Sequence, residues 1–174
     1  MLIEKDKSSL VIIDVQDKLV SVMPKPHTFI DNIIKLQKAA KIMDIPVTIS
    51  EQYPEGLGKT IDKIKENMGS NNTIIEKTEF SVPLKKSSTS HFIICGIEAH
   101  VCVLQTAISL ISKQTKIYVV QDAISSRFKK DYLTALSRLD KYPNIEIVTT
   151  EMVLFEWLRK SGTKEFKAIS LLIK

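Results

Sequence analysis

Ser9 to Val15, SLVIIDV, is an apolar run of strand length that closes on an acid, the pattern of a buried parallel strand with Asp14 at its carboxyl end. Phe29, Ile30, Ile33, Ile34, Leu36, Ala40 and Ile42 then recur mostly at steps of three and four. That period predicts a long helix, stopped by Pro46 before a second strand at Val47 to Ser50. Gln52 to Lys59 holds Pro54, Gly56 and Gly58 and reads as a loop, followed by a short helix over Thr60 to Met68 and a third strand over Thr73 to Glu76. HFIIC, from His91 to Cys95, predicts a fourth strand, Gly96 a turn, and Val101 to Ser112 a mostly buried helix. Lys116 to Val120 and Ile145 to Val148 predict two further strands on either side of an amphipathic helix over Lys129 to Leu139. Thr150 to Arg159 and Lys164 to Ile173 read as terminal helices, the second displaying Phe166, Ile169, Leu172 and Ile173.

Strands and helices alternating at this rhythm predict an α/β fold, a parallel sheet covered by helices on both faces, with right-handed crossovers. In such a sheet a site lies beyond the carboxyl ends of the central strands. The segments to inspect are therefore Asp14 and its neighbours, Glu51 to Tyr53, Glu76 to Phe80, Gly96 to Cys102 and Asp122 to Arg127. No internal repeat or low-complexity linker divides the chain, so residues 1–174 are expected to form one domain.

Composition narrows the chemistry. The 174 residues are 44% hydrophobic and 26% charged, a globular balance, and a chain of this length buries roughly 70% of its unfolded surface without a disulfide or structural metal. Five glycines, at 56, 58, 69, 96 and 162, cannot write a three-glycine dinucleotide fingerprint or a GxxxxGK[ST] phosphate loop. Cys95 and Cys102 are too few for a secreted disulfide framework and are not spaced as a zinc knuckle. No apolar run reaches about 18 residues, and Met1 to Lys7 is charged where a signal peptide would be apolar, so a cytoplasmic protein with no membrane partner is expected. The net charge of +5 is scattered along the chain, with only short pairs such as Lys85-Lys86 and Lys129-Lys130, which weighs against a nucleic-acid partner.

Cys102 is the first candidate for chemistry, because a thiol in the opening turn of a helix after Gly96 would have a lowered pKa, whereas Cys95 in an apolar strand reads as core. Asp14 and Lys77 close two other strands. One reading makes them a structural ion pair. The other lets Asp14 take the Cys102 proton while Lys77 holds the two negative charges and backbone N–H groups after Gly96 receive an oxyanion.

These residues carry a family resemblance. Asp14-Val-Gln16, Lys77-Thr-Glu-Phe80-Ser81 and Cys95-Gly-Ile-Glu-Ala-His-Val-Cys102-Val103 resemble, in order and spacing, the three signature segments of the isochorismatase-like cysteine hydrolases. Glu51 to Gly58, Asp122 to Arg127 and Thr149 to Phe155 are similar to the isochorismatase domain-containing subgroup, which includes proteins labelled MAR1-type ribonucleases. The likeness runs from about Ser9 to the end. It implies a three-layer, Rossmann-like αβα sandwich with a six-stranded parallel sheet in the order 3-2-1-4-5-6, and a triad of Asp14, Lys77 and Cys102. It further implies a cis peptide at Ile97–Glu98 that would aim the Glu98 and Cys102 amides at one oxyanion.

The resemblance therefore implies a hydrolase that cleaves an amide, C–N or related bond of a small molecule through a Cys102 thioester, with no cofactor. Gln16, Tyr53, Phe80 and Glu98 are the candidate substrate-binding residues. Nicotinamidases of the same superfamily add a metal site of aspartate and histidines after the second strand, but residues 46–72 contain no histidine, so no metal is expected. His27, His91 and His100 are dispersed, and His100 reads either as a helix-face residue or as a pocket-rim group. Glu51 reads as pocket wall or closure, and a Glu98–Arg127 pairing would be structural. A catalytically silent interaction module of the same fold and a ribonuclease remain as alternatives. The resemblance and the apolar terminal segment FKAISLLIK lean towards a homo-oligomer.

Overall fold

The computed structural model describes residues 1–84 and 89–173, so the Lys85-Lys86 pair lies outside the described residues. Six strands build one parallel sheet: β1 (Ser8–Ile13), β2 (Val47–Gln52), β3 (Asn72–Lys77), β4 (His91–Ile97), β5 (Lys116–Ser125) and β6 (Ile145–Val148). Their spatial order is β3-β2-β1-β4-β5-β6, the 3-2-1-4-5-6 arrangement of a Rossmann-like α/β fold. Order reverses between β1 and β4, so the crevice beyond their carboxyl ends is the natural place for a site.

The central strand shows why its sequence does not alternate. All six residues of β1 are buried. Leu10 and Ile12 pack on one side among Ile33, Leu36 and Trp157, while Val11 and Ile13 pack on the other among Val103, Ala107 and Leu139. Both layers are apolar because helices cover both faces. The first layer is formed by α2 (Pro26–Ile42), α7 (Thr150–Leu158) and α8 (Lys164–Ile173), the second by α5 (Leu104–Ser109) and α6 (Lys129–Leu139). Short helices α1 (Asp17–Val20), α3 (Pro54–Leu57) and α4 (Asp62–Lys65) lie in the connections around β2. In α8, Ile169 is fully buried and Phe166, Leu172 and Ile173 pack against the core, so most of that apolar segment closes this fold.

Two departures from the sequence reading bear on the site. Gly96 is not a turn: it lies inside β4 with φ +111°, opposite Ile13 of β1. A Cβ there would stand 2.1 Å from the Ile13 carbonyl oxygen, so the close approach of two backbones demands glycine. Next to it the β4–β5 ladder breaks: Ile94 pairs with Val119 but Gly96 pairs with Ile124, so two steps along β4 face five along β5. That irregularity carries β5 on to Ser125, well past the expected Val120. It also turns Asp122 towards α7, where its Oδ1 accepts from the Thr150 amide at 2.8 Å and the Thr150 hydroxyl at 2.9 Å.

Candidate active site

Asp14 follows β1 in the left-handed region, φ 52°, which aspartate tolerates better than most residues. Its carboxylate is wholly buried and receives a donor on each oxygen: Ser50 Oγ on Oδ1 at 2.6 Å and Lys77 Nζ on Oδ2 at 2.8 Å. Ser50 and Gln52 point the same way from β2, two residues apart. Lys77 ends β3 in register with Gln52, and its side chain reaches across β2 to the Asp14 end of β1. The ammonium has three acceptors: Asp14 Oδ2, Gln52 Oε1 at 2.6 Å and the Phe80 carbonyl at 3.3 Å. Both side chains of the ion pair are inaccessible to solvent, and such a pair persists only with this full set of hydrogen bonds.

Cys102 arrives from the other side of the switch point. Ala99–Val103 is a π-helical stretch that runs into α5, and the buried Cys102 Sγ lies 4.0 Å from Gln52 Oε1. Asp14 and Lys77 both act on it. Burial, followed by the Asp14 carboxylate, pushes the thiol up to about 12, with Lys77 pulling in the opposite direction. This overturns the expected lowering. The thiol stands not in a solvated opening turn of an α-helix but in a desolvated π-helical stretch beside a carboxylate. Burial pushes the Cys95 thiol up as well, and its Sγ sits 3.6 Å from the Val11 carbonyl, within the core as expected.

The fold thus brings Asp14, Lys77 and Cys102 together and scatters the remaining candidates around them. The Ile97–Glu98 peptide is cis. Glu98 Oε2 accepts from the Arg127 amide at 3.1 Å and from its Nε at 3.0 Å, the pairing considered as a structural possibility. His100 Nδ1 meets Ser126 Oγ at 3.0 Å. Gln16 is fully buried, and both protons of its amide go to the carbonyls of Gln52 and Gly58, so it ties a loop and has no donor left for a substrate. Tyr53 and Phe80 are about half exposed, and the Phe80 backbone carbonyl accepts from Lys77. Glu51 faces away from Gln52, accepting from the Thr60 amide at 2.7 Å, and closes the loop that ends at Lys59. Ser50 is not among the residues the sequence marks, and Gln52 enters only within the Glu51 to Tyr53 segment at a strand end. Polar residues at alternate positions on the end of a buried strand were the available signal. Among the described residues, no group of three His, Cys, Asp or Glu side chains is placed to hold a metal.

Beyond this geometry, residues 8–152 match the isochorismatase domain. The chain belongs to the isochorismatase family. Isochorismatase domain-containing protein 2 of Danio rerio is 33% identical over 174 residues, covering 95% of this chain and 86% of that protein. A secreted isochorismatase effector of Phytophthora sojae is 33% identical over 178 residues, covering 96% of this chain and 84% of its own. Among solved structures, one described as a MAR1 ribonuclease from Caenorhabditis elegans superposes with a TM-score of 0.93 at 34% identity, covering 99% of this chain and 92% of that one. The family assigns an isochorismatase-type hydrolase fold. Among the described residues, no helix is long and apolar enough to cross a membrane.

Proposed function

We propose that the chain is a hydrolase that opens an amide, C–N or related acyl bond of a small molecule through a thioester on Cys102. The observation that carries this reading is a buried thiol beside a carboxylate whose two oxygens are held by Ser50 and Lys77. A thiol pushed up to about 12 stays protonated at neutral pH, so it needs an adjacent base at the moment of attack. Asp14 is that base. It takes the Sγ proton as sulfur bonds to the carbonyl carbon, and the oxyanion rests on the Glu98 and Cys102 amides. Collapse breaks the bond to the leaving group, which carries away the proton held by Asp14. Asp14 next takes a proton from water as the water oxygen attacks the thioester. The second collapse expels the Cys102 sulfur, which recovers the proton from Asp14 and frees the acid. Lys77 stays an ammonium throughout and offsets the negative charge of the carboxylate and thiolate.

Residues 1–174 act as one domain in this reading, without a cofactor, in a reducing cytoplasm suited to two free buried cysteines. The test incubates the chain with a panel of amides, esters and vinyl ethers and searches by mass spectrometry for an adduct on Cys102. Acylation of Cys102, and loss of turnover in Cys102→Ala, are expected. Turnover undiminished in Cys102→Ala overturns the reading. Ribonuclease activity, for which the Caenorhabditis elegans structure is named, is the alternative carried by the comparison. The residues here favour it less: His91 Nδ1 is taken up by the Glu4 amide and His100 by Ser126, on separate parts of the fold.

A further inference from the structure

The side chain and backbone of Gln52 are held by bonds that keep its amide oxygen on Lys77. The side-chain Oε1 accepts from Lys77 Nζ at 2.6 Å, and Nε2 donates to the Thr78 carbonyl at 2.7 Å, which fixes which end of the amide faces the ammonium. The backbone is held as firmly. Gln16 clamps it from both sides, with Oε1 accepting from the Gln52 amide at 2.7 Å and Nε2 donating to the Gln52 carbonyl at 3.0 Å. The second Nε2 proton of Gln16 goes to the Gly58 carbonyl at 2.6 Å, so the clamp itself cannot swing. Gln52 is 8% exposed, Lys77 4% and Gln16 fully buried, leaving little water to replace any of these partners.

An ammonium on a four-carbon stem is a flexible point charge with three donors. Here one donor goes to Asp14, one to Phe80 at the longer distance of 3.3 Å, and one to Gln52. Of these acceptors, the Gln52 oxygen lies 4.0 Å from Sγ and the Asp14 carboxylate also faces the thiol, whereas the Phe80 carbonyl serves Lys77. We infer that Gln52 is a positioning residue: it holds the Lys77 ammonium where its charge reaches both the Asp14 carboxylate and the Cys102 sulfur, and Gln16 holds Gln52. This rests on the reading of Asp14, Lys77 and Cys102 as the reacting set and assigns a role that reading leaves empty. Gln52 itself exchanges no proton with substrate, and the role assigned to it rests on its 2.6 Å bond to Lys77, far shorter than its 4.0 Å contact with the thiol.

The test is a double-mutant cycle on the rate at which iodoacetamide alkylates Cys102, read by mass spectrometry from pH 6 to 10 on the full chain. Gln52→Met keeps the length of the side chain and removes the acceptor. It is expected to slow alkylation about tenfold at neutral pH and to change the pH profile, whereas in a Lys77→Met background the same substitution is expected to change nothing. Gln52→Asn, which retains an amide but draws it back by one methylene, should fall between wild type and Gln52→Met, and it stands in if Gln52→Met does not fold. Melting curves confirm that rates are read on folded protein. Equal slowing by Gln52→Met in both backgrounds, or a rate and profile unchanged in the wild-type background, overturns the inference while leaving the triad reading in place. If Lys77→Met itself leaves alkylation unchanged, the triad reading fails and the role of Gln52 falls with it.

Discussion

Ser50 donates to Asp14 Oδ1 at 2.6 Å, on the carboxylate oxygen that Lys77 does not bond, and both residues are fully buried. Ser50→Ala would leave that oxygen without its hydroxyl donor in a place closed to water. A loss of about 1–3 kcal/mol in unfolding free energy is expected from urea melts. A loss below about 0.5 kcal/mol would show that the hydroxyl contributes little to the buried carboxylate.

Asp14→Asn should lower two observables that a simple gain in thiolate would move apart. The substitution removes a negative charge whose upward push on the Cys102 thiol exceeds the downward pull of Lys77, so the thiol should titrate below its present value of about 12. Burial, the larger cause, remains and keeps it above the range of an ordinary thiol. Turnover should nonetheless fall, by about 100-fold or more, because the proposed mechanism loses its proton acceptor. Thiolate absorbance against pH and steady-state rates measure the two separately. A lower thiol pKa with undiminished turnover would rule out Asp14 as the base.

Gly96→Ala meets both a φ of +111° and a Cβ position 2.1 Å from the Ile13 oxygen, which is backbone and cannot rotate away. The expected cost is about 4 kcal/mol or more, seen as loss of soluble folded protein or a collapsed urea midpoint. A variant within about 1 kcal/mol of wild type would mean that β1 and β4 separate at Gly96 without penalty.

His91 sets a pH dependence at the other end of β4. Burial holds its imidazole below the usual pKa, and its Nδ1 accepts from the Glu4 amide at 3.1 Å, a bond the protonated ring cannot keep. The unfolded chain binds this proton near pH 6.5, the folded chain only at lower pH, so stability is complete above about 6.5 and declines as pH falls towards the folded value. The melting temperature should drop between pH 7 and 5.5, and drop less in His91→Gln. Parallel declines in the two proteins would clear His91 of the effect.

The elements dominated by their own pattern were legible from the chain. Lys129 to Leu139, Ile145 to Val148 and Lys164 to Ile173 fold over the residues their periodicity marked, and the apolar run ending at Asp14 is the doubly covered central strand. What escaped depends on a neighbouring strand. Gly96 looks like a turn because glycine usually is one, and only the proximity of Ile13 explains it inside β4. The extension of β5 to Ser125 arises from a break in pairing with β4, which composition does not record. The same holds at the site. Asp14, Lys77 and Cys102 could be named from family resemblance, but the direction of the thiol pKa follows from burial and from the side on which Asp14 lies. Gln52 and Ser50 gain meaning only once β2 is set in register between β1 and β3.

That register has a consequence for how the protein reaches its native state. The Ser50–Asp14–Lys77–Gln52 chain of bonds joins residues up to 63 positions apart and crosses three adjacent strands. No pair of strands contains it, and a chain with β1 and β2 paired but β3 undocked would carry a carboxylate without its Lys77 partner at the end of β1. Such a species should rejoin the solvent or bind chaperones sooner than persist. Formation of the Lys77–Asp14 pair therefore marks the docking of β3 on β2, and recovery of Cys102 chemistry would report that docking more faithfully than recovery of helical signal.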